Sequence, residues 1–429
     1  MHREFFLRRG DPARSTTASN RHLQGEVHPI AVAALAAAAV LTGCGGPPAT
    51  EATGGLLPEG VPILHNVESR SRVAEWTVGS KLRVGAVDGE VTFGRVADVA
   101  PRAAGGLWVV DAQSRRISGF EEDGSRVVHF GGEGGGPGEL RTPSALFEVD
   151  DGTVVAGSAF PPVLHRFDAG GSYLGSSRLT ESRDANGAPI PPRFADWQVA
   201  ADGEAVADLF AVPGPGQGSS VVHTLVRFAD EDLNGRGRDT IVRWSLPSTP
   251  ASPSSPIEIV PVRPSWSVGP EGLIWWSPGA PYEIRAYDRG GTPVRAITLD
   301  RKAIRVTPAI EEKLISGLRS SVASGPGRAA LIEQAIERAR WPKFLPQVVD
   351  LWVSHPDGRI FALPWTADSF DESVPRRLDV FEPEGRYVAR LTLPPRFSPR
   401  RFANGAVYGV ERDQLGVSYA VRYGIVTAD

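Results

Sequence analysis

The sequence predicts an all-β fold built from a repeated unit. A tight turn that ends in glycine and leads into a short β-type run occurs six times, with its glycine at Gly106, Gly152, Gly203, Gly272, Gly358 and Gly405. A second turn follows most of these runs, so each period of about 45 residues holds four predicted strands. Four strands per repeat are typical of a blade, and the sequence therefore predicts a six-bladed β-propeller.

The spacing of the turns predicts where the repeat is interrupted. Successive glycines lie 46, 51, 69, 86 and 47 residues apart, so the longest interval separates units four and five. Within it, residues 307–341 change to helical periodicity, beginning at Thr307-Pro308 and ending before Pro342. We expect a helical insertion between blades 4 and 5. It is either a lid over the mouth of the central channel or a helical pair packed on the side of the ring.

The sixth unit has too few residues for a fourth strand. After the strand that ends near Arg412, only residues 417–426 have strand character. Residues 73–90, which precede the first unit, also have strand character. Because a closed ring leaves no sheet edge exposed, we expect part of this segment to complete the last blade. Seven blades are the alternative count.

The N-terminal residues read as a targeting signal. The apolar run 30–41 is too short to span a bilayer as a helix, but it has the length of the hydrophobic region of a signal peptide. It leads into Leu41-Thr42-Gly43-Cys44, which resembles the bacterial lipobox, in which the cysteine is acylated after cleavage. We expect a signal peptide at 1–43, lipidation at Cys44 and a lipidated flexible tether at 44–60.

The residue after the lipidated cysteine bears on location. Gly45 is not the aspartate that retains such lipoproteins at the inner membrane. The predicted location is therefore the cell envelope, and the outer membrane, on its periplasmic or surface side, if the cell has two membranes. The segment before the apolar run is long and contains acidic residues, so the true start codon stays open.

One junction between units carries a family resemblance. Residues 130–140 read FGGEGGGPGEL and follow the strand at 108–111. This run resembles the inter-blade signature of NHL-type propellers. Together with the lipobox and the stretch 346–363, it makes the chain similar to bacterial lipoproteins of the NHL-like six-bladed group. The resemblance implies that residues 61–429 form the propeller, but a fold of this kind does not define a function.

Composition and motifs exclude several function classes. Cys44 is the only cysteine, so the chain has no internal disulfide and no cysteine-based metal cluster. The net charge of −4 argues against nucleic acid as a partner. The eight histidines form no HxH or HxxxH pair, and residues 230–238 lack the closing Glu of a calcium loop. The glycine-rich run 131–138 lacks the lysine of a phosphate loop. We therefore predict no metal and no cofactor.

Candidate ligand-binding residues lie where loops of one face should meet. In a propeller this loop face collects the connections between blades and the loops between second and third strands, here termed 2–3 loops. Aromatic side chains beside a few charges suit a binding mouth. The candidates are Asp111, Arg115, Trp276, Tyr282, Trp365, Asp368 and Arg412.

Two functions from different classes fit the sequence. The favoured one is a membrane-anchored, exported, monomeric propeller that acts as a binding or protein-interaction module for a protein, peptide or glycan. The alternative is a hydrolase or lyase centred in the channel. No catalytic residues are predicted, since the Gly-x-Ser-x-Gly motif has no match. Acidic groups and histidines that converge at the axis would favour the alternative.

Overall fold

The computed structural model describes residues 59–70, 73–86, 91–179, 182–183, 189–190, 193–211, 220–228, 238–247, 256–320 and 326–428. The predicted signal peptide, Cys44 and most of the tether lie outside the described residues, as do residues 230–237. Among the residues described, neither α-helix has the length and apolar character needed to cross a membrane.

Strands dominate the described chain. They are β1 (Ile63–Val67), β2 (Ala74–Val84), β3 (Val96–Pro101), β4 (Leu107–Asp111), β5 (Arg116–Phe120), β6 (Arg126–Gly131), β7 (Pro143–Glu148), β8 (Val154–Ala159), β9 (Pro162–Phe167), β10 (Tyr173–Arg178), β11 (Ser182–Arg183), β12 (Pro189–Ile190), β13 (Arg193–Val199), β14 (Ala205–Ala211), β15 (Ser220–Phe228), β16 (Arg238–Pro247), β17 (Ile257–Glu258), β18 (Ser265–Val268), β19 (Ile274–Ser277), β20 (Glu283–Tyr287), β21 (Pro293–Asp300), β22 (Ala339–Arg340), β23 (Asp350–Val353), β24 (Ile360–Leu363), β25 (Arg376–Phe381), β26 (Tyr387–Leu393), β27 (Phe397–Ala403), β28 (Ala406–Arg412) and β29 (Ser418–Val426). The helices are α1 (Pro308–Ser320) and α2 (Pro326–Glu337), with 3-10 turns at Glu68–Arg70 and Pro270–Gly272.

Consecutive strands form antiparallel meanders, which we number as units. The first four units are β3–β6, β7–β10, β13–β16 and β18–β21, and β1 adds in parallel at the outer edge of the fourth. The fifth unit, β23–β26, and the sixth, β27–β29, belong to one eight-stranded sheet in the order β23-β24-β25-β26-β2-β29-β28-β27. The short strands β11 and β12 pair with each other, and β17 pairs with β22.

The strand β2 links the fifth and sixth units. Its first residues, Ala74 to Trp76, pair in parallel with β26, while Thr77 to Val84 pair antiparallel with β29. The prediction that part of the segment 73–90 supplies the missing strand of the last unit is thus confirmed for β2. Because β2 covers the outer edges of both units, neither edge is left open to pair with another chain. The parallel addition of β1 to β21 was not predicted.

The predicted turns are also confirmed. All six turn glycines have positive φ, between 67° and 90°, a conformation that residues with a Cβ rarely adopt. Each lies one or two residues before the second strand of its unit: β4, β8, β14, β19, β24 and β28. The helices α1 and α2 follow β21 and precede β23, so the insertion lies between the fourth and fifth units as expected.

The hydrophobic core lies between neighbouring units. Five clusters of buried side chains each join two consecutive units, from the first and second to the fifth and sixth. A further cluster joins the sixth unit and β2 to the first unit, where Ala406 and Tyr408 pack with Val99 and Leu107. The units therefore follow one another in a closed cycle. This is the propeller-like arrangement that the repeat predicts.

Candidate functional site

Two of the predicted site residues flank the 2–3 loop of the first unit. Asp111 is buried at the end of β4, and Arg115 forms an ion pair with Glu133 in the connection to the second unit. The Asp111 carboxylate accepts four hydrogen bonds of 2.9–3.0 Å, from the N–H groups of Gly94, Arg95 and Gln113 and from the Ser114 hydroxyl. These contacts hold the loop in shape, and the Arg115 pair ties it to the neighbouring connection.

Two others lie in the core beside the fourth unit. Trp276, in β19, is fully buried in the cluster between the third and fourth units. Tyr282, just before β20, is buried in the cluster between the fourth and fifth units. Its hydroxyl donates a hydrogen bond of 2.8 Å to Asp379 Oδ2. Burial and the nearby Asp379 charge raise the pKa of Tyr282, so it stays a donor at neutral pH.

The remaining three candidates belong to the fifth and sixth units. Trp365 is buried and packs edge-on against Phe370 with ring centroids 5.3 Å apart. Asp368, in the same 2–3 loop, lies 3.1 Å from the Lys313 ammonium group of α1. Arg412 is half-buried at the end of β28. The seven candidates thus come from four units, and even Trp276 and Tyr282 of the same unit lie in different clusters.

The helical insertion contacts segments of the loop face. Apart from the Lys313–Asp368 pair, α1 lies against the fifth 2–3 loop, where a Cβ added at Gly317 would be 3.0 Å from the Asp371 nitrogen. At its other end, β22 pairs with β17, which belongs to the connection between the third and fourth units. The insertion therefore rests on two loop-face segments. That placement fits the first of the two expected positions, and whether the helices act as a lid stays a prediction.

Three first strands carry an aspartate in the same local conformation. Asp98, Asp196 and Asp350 each accept, at 2.9 Å, a hydrogen bond from the backbone N–H of the following residue. First strands line the axis of a propeller, so these carboxyl groups belong to the central channel. Asp98 is neutralised by Arg401, whose Nη2 lies 2.6 Å from Asp98 Oδ2. No local pattern in the sequence distinguishes these aspartates from other strand acids.

Asp196 is exposed to solvent, although many protein atoms surround its carboxyl group. Burial raises its pKa to about 7, the charges of Asp208 and Asp98 act in the same direction, and the Trp197 N–H and Arg401 oppose them. Burial likewise raises the pKa of Asp350 to about 6. Both carboxyl groups can exchange protons near neutral pH. Among the described residues, no group of three or more His, Cys, Asp or Glu is arranged to hold a metal ion.

We expect Asp196→Asn to remove a pH dependence of stability. A folded-state pKa of about 7 lies above the unfolded value, so the stabilisation by the proton is present at low pH and lost as pH rises from about 4 through 7. The amide variant should therefore gain stability over the wild type at pH 8 and lose that advantage at pH 4. Urea unfolding across this pH range measures the difference.

In the matched control, Asp123→Asn, the substitution is expected to change stability in the opposite direction. Hydrogen bonds from Ser125 lower the pKa of the exposed turn residue Asp123. Asp123→Asn should therefore lose stability above its unfolded pKa and approach the wild type only in acid. Parallel pH profiles for Asp196→Asn and the wild type would contradict the assignment of Asp196.

A cavity of about 250 Å³ opens at the loop face beside the second unit. One wall is the connection between the first and second units, and the other is formed by strands of the second unit. The side chains that line it include Glu139, Arg141, Ser158, His165, Tyr173, Ser176 and Arg178. Thr142 fixes the connection to the second 2–3 loop through hydrogen bonds of 2.9 and 3.1 Å with Phe160.

Two buried polar atoms belong to residues of the cavity wall. Ser158 Oγ and His165 Nδ1 are buried and have no hydrogen-bond partner in the part of the chain that is described. Burial, together with the Arg178 charge, lowers the pKa of His165, so the imidazole is neutral at neutral pH. Leaving a buried polar atom unpaired costs about 1–3 kcal/mol. Both atoms lie beneath the cavity surface, so a polar ligand gains hydrogen bonds from them only where the Ser158 hydroxyl or the His165 ring rotates toward the cavity.

Sequence reasoning did not predict this cavity. The sequence analysis excluded a phosphate loop at the glycine-rich run, and it found no metal-ligand pair among the histidines. The wall residues come from the connection and from three strands, β8, β9 and β10. Because strand side chains alternate between faces, no single stretch of sequence contains the site. Arg141, three residues after the glycine-rich run, is a local sign of charge at this wall.

Comparisons with known proteins identify neither a family nor an activity. No protein-family model matches the chain, and no curated protein matches it significantly. Among solved structures, a candidate exported protein from Bacteroides fragilis NCTC 9343 matches at 11% identity, 86% coverage of this chain, 100% of that chain and TM-score 0.47. A DUF4221 member from Bacteroides vulgatus ATCC 8482 matches at 9% identity, with 83% coverage of this chain, 99% of that chain and a TM-score of 0.47. Virginiamycin B lyase from Staphylococcus aureus matches at 10% identity, with 81% coverage of this chain, 99% of that chain and a TM-score of 0.40. Similarity at this level carries no information on ligand or activity.

Proposed function

We propose that this chain is an exported, lipid-anchored, six-bladed β-propeller that acts as a binding module and takes a small polar ligand at its loop face. The observation that carries the proposal is the cavity of about 250 Å³ beside the second unit. Charged residues line it, and two wall residues hold buried polar atoms that lack a hydrogen-bond partner within the described chain. Concave sites with a few convergent polar groups are the usual form of small-molecule sites.

The count of six blades is supported by β2 and by the core. Each half of the eight-stranded sheet is a meander of its own, and β2 is the outer strand of the sixth unit. Six clusters shared by consecutive units close the cycle. A seventh blade would require a further unit between two that already share a cluster.

The lipid anchor is a proposal from the sequence. Cys44→Ser removes the thiol that the lipobox would acylate. We expect the variant to lose labelling by a palmitate analogue and to move from the membrane fraction to the soluble fraction of its host. Unchanged labelling would contradict lipidation at this residue.

Ligand binding at the cavity is tested by filling it. Ser176 is exposed and lines the cavity, so Ser176→Trp should occupy the space without disturbing the core. A ligand that binds only the folded state raises the unfolding temperature, by an amount equivalent to about 2.7 kcal/mol at one hundred times its Kd. In a thermal-shift screen of small polar compounds, we expect at least one to stabilise the wild type but not Ser176→Trp.

The control is a tryptophan on the same strand outside the cavity. Leu174 is 58% exposed and does not line the cavity, so Leu174→Trp should respond like the wild type. The proposal fails if no compound stabilises the wild type, or if every stabilising compound acts equally on Ser176→Trp.

The second candidate function is a hydrolase or lyase centred in the channel. The observation that favours it is Asp196, a channel-facing carboxyl group whose pKa of about 7 suits proton transfer. An activity that Asp196→Asn abolishes while Ser176→Trp leaves it unchanged would establish this function in place of the first.

A further inference from the structure

The glycine-rich connection places opposite charges against consecutive glycines. A Cβ on Gly134 would overlap Glu139 Oε2, and one on Gly135 would lie 2.6 Å from Arg141 Nη2. A Cβ at either position would force the end of that flexible side chain to move, so the two glycines leave room for both groups where they now lie. The glycines therefore let one carboxylate and one guanidinium group lie on the same cavity wall.

The two charges do not neutralise each other. The Gly136 N–H donates a hydrogen bond of 2.7 Å to Glu139 Oε2, which holds the carboxylate in place. Within the described residues, neither Glu139 nor Arg141 forms an ion pair with any group. A wall with separated charges of both signs is complementary to a ligand that carries both signs itself.

Two neutral polar groups of the wall favour a neutral polar function. Among the described wall residues, Ser158 Oγ and His165 Nδ1 are buried without a hydrogen-bond partner, and the imidazole of His165 is uncharged at neutral pH. A hydroxyl or an amide can donate to one such atom and accept from the other. Arg178, the third charged wall residue, already interacts with another group. The Tyr173 ring adds an apolar surface to the wall.

We propose that the cavity binds a free α-amino acid with an uncharged polar side chain. Its carboxylate pairs with Arg141 and its ammonium group pairs with Glu139. Its hydroxyl or amide forms hydrogen bonds with the Ser158 hydroxyl and the His165 ring once these side chains rotate toward the cavity. The volume of about 250 Å³ admits one such molecule. A peptide would present only one of its two charged termini to the wall. This inference rests on the proposed binding function and specifies the ligand for the same site.

Calorimetric titration of the full chain with L-glutamine, L-asparagine, L-serine and L-threonine tests the inference. We expect at least one to bind, and its N-acetyl and carboxamide derivatives, each lacking one charge, to bind about tenfold more weakly or worse. Arg141→Gln and Glu139→Gln should each weaken binding of the parent amino acid by about tenfold or more. Arg126→Gln, an exposed arginine on β6 outside the cavity, should change affinity less than about twofold.

Thermal unfolding of each variant shows whether it is folded before its affinity is interpreted. The inference is overturned if no amino acid binds, or if the derivatives bind as well as their parents. If another compound class binds in the thermal-shift screen and Ser176→Trp abolishes that binding, the binding function holds and only the ligand class is wrong. If no compound of any class binds, both fail.

Discussion

Replacing Asp379 by alanine is expected to lower the free energy of unfolding by about 3–5 kcal/mol, because it leaves a buried charge without its partner. Asp379 is 2% exposed, and its two oxygens accept hydrogen bonds of 2.7 Å from the two Nη atoms of Arg301. The hydroxyls of Tyr282 and Tyr387 donate to the same carboxylate at 2.8 and 2.9 Å. Chemical denaturation measures the loss.

The Asp379 network joins separate parts of the chain. Arg301 follows the fourth unit, Asp379 and Tyr387 belong to the fifth, and Arg301 also pairs with Glu68 of the N-terminal segment at 3.0 Å. Removal of the Asp379 carboxylate should therefore weaken the junction between the fourth and fifth units. The control is Glu382→Gln, which breaks an exposed pair with Arg386 and should change stability by less than about 1 kcal/mol. Equal effects of the two substitutions would contradict the structural role of Asp379.

Trp76→Ala is expected to cost about 3–5 kcal/mol in unfolding free energy, as is usual for a buried tryptophan. Trp76 lies on β2, is 7% exposed and packs in the cluster shared by the fifth and sixth units. This burial exists only if residues 74–84 form the linking strand. Urea unfolding of the variant, monitored by circular dichroism, measures the cost.

A residue of the same strand provides the control. Lys81 has a side chain that is 34% exposed and pairs with Glu411 at 2.7 Å. Lys81→Ala should therefore cost less than about 1 kcal/mol. If Trp76→Ala were as mild as Lys81→Ala, β2 would not be part of the core, and the proposed sixth blade would lack its outer strand.

Sequence reasoning predicted the elements that depend on local chemistry. A glycine after an acidic residue or Asn is a local sequence signal for a hairpin turn, so the turns at Gly152 and Gly405 could be recognised without tertiary information. The positive φ of both glycines agrees with this. The helical insertion was visible because its periodicity differs from that of strands. The closing strand β2 was predicted because the last unit has too few residues for a fourth strand, and an exposed sheet edge is unfavourable.

Features that depend on distant pairings were not predicted. Asp98 is neutralised by Arg401, about three hundred positions away, and nothing near either residue in the sequence indicates the pair. The cavity likewise requires Arg141 to face His165 across two elements. Conversely, aromatic residues near loops were taken as candidate ligand contacts, while Trp276 and Tyr282 lie in the core. Short aromatic segments at strand ends look alike whether they point to solvent or to a neighbouring sheet.

We expect the ligand to bind at the loop-face cavity beside the second unit. The most direct test is a crystal structure of the chain with the strongest binder from the thermal-shift screen. We expect electron density for the ligand between the glycine-rich connection and His165, with contacts to Arg141 and Ser158. Density in the central channel, in contact with Asp196 and Arg401, would contradict it and would favour the channel-centred enzyme instead.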